Sequence, residues 1–274
     1  MTDCTQFAEL ASRALIRIDG PDWRSFLQGL LTQDVDSLSD GEARFAGLLT
    51  PQGKLMFDLF VVGRDVGCLI DVAAGRRDAL VQRLTIYRLR AKVEIASIEG
   101  TVLASWPAPP GDLGASWIAD PRLPALGLRG YGASPPLGAE RTDEAAYDAH
   151  RLALGVPDPA GDAPAETTYP IEANFDLLAG IDFKKGCFVG QETTSRMKRR
   201  GAIKTRMLPI TFDGSAPAFG SEVLAGTLRA GEVRTGANGR AMALLRLDRI
   251  EGAGLTVDGR AVRVERPDFL TAEG

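Results

Sequence analysis

The sequence predicts an α+β fold that ends in a small β-barrel. Three observations lead there. Helical and strand-like apolar spacings alternate through the first two hundred residues without strict strand-helix-strand repetition, which argues against a doubly wound parallel sheet. Past Gly201 the pattern changes to short apolar runs separated by glycines at regular intervals, the mark of a small antiparallel barrel. A chain of 274 residues also has the length for two or three structural units. The expected division is residues 1–203 and residues 204–274.

Taken in order, Asp19-Gly20-Pro21 reads as a helix start, and Trp23, Phe26, Leu27, Leu30 and Leu31 then share one face at helical spacing. Residues 45–50 and 55–62 read as strands joined by the turn Pro51-Gln52-Gly53-Lys54, and residues 68–72 add a third strand to make a meander. Leu80, Leu84 and Tyr87 make residues 75–87 helical, and residues 91–96 and 101–106 return to strand. Eleven of the 16 prolines lie between Pro107 and Pro170, so this tract is expected to be connections, interrupted by a short strand near Leu126 and a helix from 142 to 154. The barrel strands are expected at 207–212, 222–225, 231–234, 241–247 and 262–266.

Composition narrows the chemistry. Charged residues at 25% and hydrophobic ones at 45% are ordinary for a globular protein, and the net charge of −4 argues against general nucleic-acid binding. Asp3 and Glu9 precede Arg13 with no signal-like apolar core, and no run approaches membrane-spanning length, so a cytoplasmic protein without a membrane partner is expected. The only histidine is His150; a His-based zinc site, a Ser-His-Asp triad and a Cys-His dyad would all depend on this ring. Three cysteines, at 4, 68 and 187, are too few for a self-contained iron–sulfur cubane.

The run Lys184-Lys185-Gly186-Cys187-Phe188-Val189-Gly190-Gln191-Glu192 sets one cysteine beside two ammonium groups and an apparent helix start, conditions that favour a thiolate. A buried, inert cysteine beside a turn fits the same residue types. Between 184 and 206 eight basic residues face one acid, which describes either a solvated face or an anion site. Gly53-Lys54 is not a phosphate loop: five residues separate Gly47 from Gly53, and Leu55 follows where a hydroxyl is needed. Glu172 has a specific possibility, because one carboxylate can accept two adjacent N–H groups from a ligand edge; a surface or helix-capping glutamate is the alternative.

Together with Pro170-Ile171-Glu172-Ala173-Asn174-Phe175, Arg196 and Arg200-Gly201, the Lys-Gly-Cys run resembles the signature of the YgfZ-type folate-binding proteins. The resemblance extends to Phe26-Leu27-Gln28-Gly29-Leu30-Leu31-Thr32-Gln33-Asp34-Val35, to Leu49-Thr50-Pro51-Gln52-Gly53-Lys54 and to Tyr87-Arg88-Leu89-Arg90-Ala91-Lys92-Val93. It implies the fold of the glycine-cleavage T-protein, with two intertwined α+β units and a C-terminal barrel around a folate pocket. It also implies a tetrahydrofolate-binding accessory factor in iron–sulfur cluster assembly, partnered by assembly or client proteins. The implied roles are Cys187 and Lys185 as reactive groups, Glu172, Asn174, Gln191, Arg196 and Asp58 as folate contacts, and Cys187 as a ligand to a transient or shared iron–sulfur cluster. A tetrahydrofolate-dependent aminomethyl or one-carbon transferase is the alternative. Against it stands Met56-Phe57-Asp58-Leu59, since T-protein enzymes carry two consecutive acids where this chain has Phe57 and Asp58.

Overall fold

A computed structural model describes residues 4–271 apart from 110, 112, 202, 238 and 253, and the side chain of Arg200 in the basic run lies outside the described residues. In chain order the elements are β1 (Gln6–Glu9), β2 (Arg13–Asp19), α1 (Trp23–Gln28), β3 (Ala43–Leu49), β4 (Leu55–Arg64), β5 (Gly67–Ala73), α2 (Arg77–Arg88), β6 (Glu94–Ile98), β7 (Val102–Trp106), β8 (Trp117–Ala119), β9 (Leu128–Tyr131) and β10 (Glu140–Arg141). There follow α3 (Glu144–Ala153), α4 (Pro159–Asp162), α5 (Gln191–Arg200), β11 (Thr205–Thr211), β12 (Glu222–Ala225), β13 (Leu228–Ala237), β14 (Arg240–Arg246), α6 (Leu247–Ile250), β15 (Leu255–Val257), β16 (Arg260–Val264) and α7 (Asp268–Thr271).

The strands form two five-stranded sheets, ordered β10-β1-β7-β9-β8 and β3-β4-β5-β2-β6, and a closed barrel β11-β14-β13-β12-β15-β16. The chain lays β1 in the first sheet, moves to the second for β2 through β6, and returns to the first for β7 through β10, which intertwines the two. Strand alternation decides what each face buries. In β4 and β5, Leu59, Val61, Cys68 and Ile70 join Ile16, Trp23, Leu27, Leu80 and Leu84 in the core under α1 and α2. Val62 and Leu69 face the opposite way and pack with Ala8, Leu10, Ala104, Trp106 and Tyr131, between the two sheets. Fully burying each such side chain contributes roughly 1.5–3 kcal/mol.

A third cluster welds the barrel to the body: Met207 and Met242 from the barrel's outer face meet Phe45, Phe60, Ile171, Ala173, Phe175 and Phe188. The barrel's own core holds Leu208, Ile210, Val223, Val233 and Ala243.

The α+β class, the meander and the C-terminal barrel stand as expected. The strand expected near Leu126 is a 3-10 turn, Pro124–Leu126, because Pro124 opens a helical turn and Gly127, at φ +82°, ends it; the strand begins at Leu128. Strand β1 escapes the sequence reading because it is only four residues long, and β2, whose Leu15 faces one core while Ile16 and Ile18 face the other, because Arg13, Arg17 and Asp19 dilute its apolar signal.

Candidate functional site

Cys187 is exposed on a loop built by segments far away in sequence. Asp182 Oδ1 accepts from the backbone N–H of Lys184 (2.7 Å) and of Lys185 (3.2 Å), which turns the chain at the start of the loop. The Lys185 ammonium then donates to the carbonyls of Gln28 (2.8 Å), Leu31 (2.7 Å) and Gln33 (2.9 Å). Val189 N–H donates to Gly29 O at 3.2 Å, and Thr32 Oγ1 donates to Gly180 O at 2.6 Å. The 26–35 motif is thus the cradle of the Lys-Gly-Cys loop. Phe188 is buried beside Cys187 and anchors the loop in the body–barrel core.

Helix α5 begins at Gln191, after Gly190 at φ +81°, so the helix start follows Cys187 in the chain, with Phe188, Val189 and Gly190 between them. One expectation about the thiol's neighbours needs correction. Lys185 positions the loop and has no ammonium proton left for chemistry at the thiol, since all three go to carbonyls. Burial also lowers its pKa to about 8. Exposure excludes the reading of Cys187 as a buried, inert thiol; that description fits Cys68, whose pKa burial pushes far up.

The turn after Thr50 packs on the start of α5 through two glycines, Gly53 at φ +83° and Gly190 at φ +81°, backbone conformations that side-chain-bearing residues rarely adopt. Gln191 lies half-buried in the first turn of α5, and Arg196 is exposed further along it.

Glu172 is half-buried, and burial raises its pKa against the pull of the Tyr169 N–H, Lys54 and Arg234. Its Oε2 accepts from Tyr169 N–H at 2.8 Å. Lys54 lies 3.3 Å from the centre of the Tyr169 ring and donates to Thr167 O at 2.6 Å. Asn174 departs from its expected role as a ligand contact. It is fully buried at φ +60°, its Nδ2 donates to Met207 O (2.8 Å), and its Oδ1 accepts from Arg206 (3.1 Å), whose fork also grips Asp176 at 2.9 and 2.8 Å. Both polar atoms of the amide clasp this segment to the barrel.

Asp58 alone of the candidate residues lines a cavity of about 360 Å³, shared with Arg13, Phe60, Arg122, Arg129, Tyr147, Arg151 and Asp158. Beneath it lies a buried charge network: Arg13 Nε–Asp71 (2.7 Å), Arg129–Asp71 (2.6 Å) and Arg122–Asp120 (2.8 Å). Burial works against ionising Asp71 and Asp120, yet their arginines outweigh it and hold both carboxyls low. Asp58 has one arginine contact, Arg13 at 3.4 Å; burial dominates, Asp158 adds repulsion, and its pKa is raised. Burial thus favours the neutral form of Asp58, in contrast with Asp71 and Asp120.

Strand alternation also settles Phe57. It packs in the core under the helices, with the Arg76 guanidinium 4.6 Å from its ring centre, so the apolar substitution takes no acid from the cavity. The arginine–aspartate network itself escapes the sequence reading; its one visible signal is a lone acid, Asp71, within the apolar strand Leu69-Ile70-Asp71-Val72. His150 stacks on Trp106 at 5.6 Å and bonds Ala125 O at 2.9 Å through Nε2, a structural role.

Residues 204–272 match the family model of the CAF17 C-terminal beta-barrel domain. The fold resembles that of the glycine cleavage system aminomethyltransferase T from Bartonella henselae, with a TM-score of 0.77 at 18% identity over 97% of this chain and 86% of that one. The human mitochondrial iron–sulfur cluster assembly factor IBA57 is 31% identical over 277 residues, covering 89% of this chain and 78% of the human protein. The chain belongs to the IBA57 family. A Neurospora crassa IBA57 homologue is 32% identical over 241 residues, 76% of this chain and 54% of that protein, so the chain spans about half the length of its fungal IBA57 relatives. The motif resemblance stands in this form: an IBA57-family chain on the aminomethyltransferase fold with a CAF17-type barrel. The cytoplasmic expectation is corrected, since fungal, human and mouse IBA57 proteins are all named as mitochondrial.

Proposed function

We propose that this IBA57-family chain is an accessory factor in the maturation of iron–sulfur proteins, and that Cys187 lends one thiolate to a cluster passing between proteins. The observation that carries this reading is an exposed thiol on a loop immobilised by Lys185 and the 26–35 segment. Among the described residues no group of three or more His, Cys, Asp or Glu is placed to hold a metal ion. The cluster is thus substrate, and its remaining ligands come from a partner protein or a small thiol. The exposed Lys184, Arg196 and Arg199 around the loop suit an acidic partner surface. Tetrahydrofolate is the small-molecule ligand, with Glu172 accepting from its pterin edge.

Complementation of a cluster-assembly defect by the wild type and by Cys187→Ser, with tetrahydrofolate binding measured on both, tests this function. Cys187→Ser should fail to complement and still bind the folate. Full complementation by Cys187→Ser would remove the thiol from the function.

A second reading, tetrahydrofolate-dependent one-carbon transfer, is favoured by one observation, the placement of Asp58 in the cavity, where burial favours its neutral form. A neutral carboxyl facing a ligand can donate its proton to a leaving amine. Turnover of a methylene or aminomethyl donor, lost in Asp58→Asn, would establish it.

A further inference from the structure

The motif Tyr87-Arg88-Leu89-Arg90-Ala91-Lys92-Val93 carries the chain from α2 to β6 and lines neither the Cys187 loop nor the Asp58 cavity. Ala91 N–H donates to Arg88 O at 2.8 Å, which closes a tight turn with Leu89 and Arg90 at its corners. Leu89, at φ +45° and ψ −105°, stands where a type II′ turn ordinarily takes glycine. Its side chain is 88% exposed. Leucine loses twice at this position, by a left-handed backbone and by an apolar surface left in water.

The turn is held on both flanks. Tyr87 and Ala91 pack on the core under α1 and α2, and Val93 is buried in it. Lys92 N–H donates to Asp22 Oδ2 at 2.8 Å, and Lys92 O approaches Gly20 so closely that a Cβ there would lie 2.2 Å away. These contacts set the path of the chain without using the Leu89 side chain, and glycine or asparagine would serve the fold at least as well.

Around Leu89 stand Arg88, Arg90 and Lys92, all exposed, and none of these three side chains makes an ion pair or hydrogen bond among the described residues. The acids of the same cleft are engaged elsewhere: Arg17 pairs with Asp19 at 2.7 Å and reaches Glu94 at 3.7 Å. A rigid apolar knob ringed by three unpaired cations, on a chain of net charge −4, complements an apolar pocket rimmed by carboxylates. A lipid surface would not reward the fixed turn, since one leucine inserts as well from a relaxed loop.

The knob also lies near the thiol. Asp22, which holds Lys92, precedes α1, and Gln28, whose carbonyl holds Lys185, ends it. The helix between them is about 9 Å long. An interface of ordinary size, about 800 Å² on each partner, spans both.

We infer that the Arg88-Leu89-Arg90 turn is a docking knob for an acidic protein, Leu89 entering an apolar pocket of the same partner that shares the cluster at Cys187. The inference rests on the accessory-factor reading and adds the surface that selects the partner.

The test compares the full wild-type chain with Leu89→Gly, with Leu89→Asn and with the triple variant Arg88→Glu, Arg90→Glu, Lys92→Glu. Both Leu89 variants should melt at or above the wild-type temperature; a loss of several degrees would show that the fold needs the leucine and would overturn the inference. Expressed at equal abundance in cells with a cluster-assembly defect, all three variants should complement about tenfold less well than the wild type, the loss expected when a central contact is removed. Full complementation by the Leu89 variants overturns the inference and leaves the Cys187 reading in place, whereas failure of the wild type to complement sinks the accessory-factor reading itself. Photo-crosslinking in the same cells, from benzoylphenylalanine in place of Leu89, locates the contact. The supporting result is an adduct on a segment of another protein that sets Asp and Glu around apolar residues, reduced about tenfold by the triple change. An adduct to a second copy of this chain, or Leu89-dependent flotation with phosphatidylcholine–phosphatidylserine vesicles at about 2:1, gives the knob a different occupant and overturns the inference.

Discussion

Gly190 lies so close to Gly53 that a Cβ on Gly190 would stand 2.9 Å from Gly53 Cα and 2.7 Å from Thr50 O. This junction fixes one end of the segment that carries Cys187, and the Lys185 ammonium fixes the other. The thiol is exposed, yet its backbone is not free to wander.

Gly190→Ala should destabilise the protein by about 2–4 kcal/mol, because the new methyl group meets backbone and the residue must hold a left-handed conformation. Gly186→Ala is the control: nothing lies within 4 Å of its Cβ position, and the change should be close to neutral. Urea unfolding of the two variants checks the contrast.

Lys185→Met should cost about 2–4 kcal/mol by leaving carbonyls without donors, and the cost should depend on pH. The folded pKa of Lys185 is lowered from 10.5 to about 8. Between those values the unfolded chain binds more protons at this site than the folded chain, so the wild type gains stability as pH rises. The gap between wild type and Lys185→Met should therefore widen from pH 8 to pH 10. A gap that narrows over this range would mean that the three carbonyls hold the ammonium charged.

Asp58→Asn should raise the melting temperature at pH 7. With a folded pKa raised above its ordinary value, Asp58 contributes stability at low pH that is lost as pH rises through the folded pKa. The amide removes that loss, and Arg13 keeps its bond to Asp71. The gain should shrink as pH falls toward the ordinary carboxyl range of about 4. A lower melting temperature at pH 7 would show that the Arg13 contact outweighs burial.

Much of the fold is legible because apolar periodicity reports burial directly: Leu59 and Val61 alternate with Phe60 and Val62, and Leu80 and Leu84 mark the buried face of α2. The charged cavity is not legible, because Arg13, Arg122, Arg129, Asp71 and Asp120 lie on separate strands and loops and become partners only when the two sheets meet. Cys187 was readable as special from its neighbours, but the reason differs from the expected one. Its motif lysine binds backbone carbonyls, and Asn174, expected at a ligand, holds the body to the barrel. A motif shows that residues act together, and geometry decides which of them faces solvent.

The most direct test of the central claim, that this chain supplies a single thiolate to a shared cluster, is anaerobic reconstitution with iron and sulfide followed by gel filtration and iron analysis. The isolated monomer should not retain a stoichiometric cluster, and a small dithiol should restore bound iron in the wild type and in a Cys4→Ser, Cys68→Ala double variant but not in Cys187→Ser. A stable, fully loaded monomer without added thiol, or equal iron retention by Cys187→Ser, would contradict it.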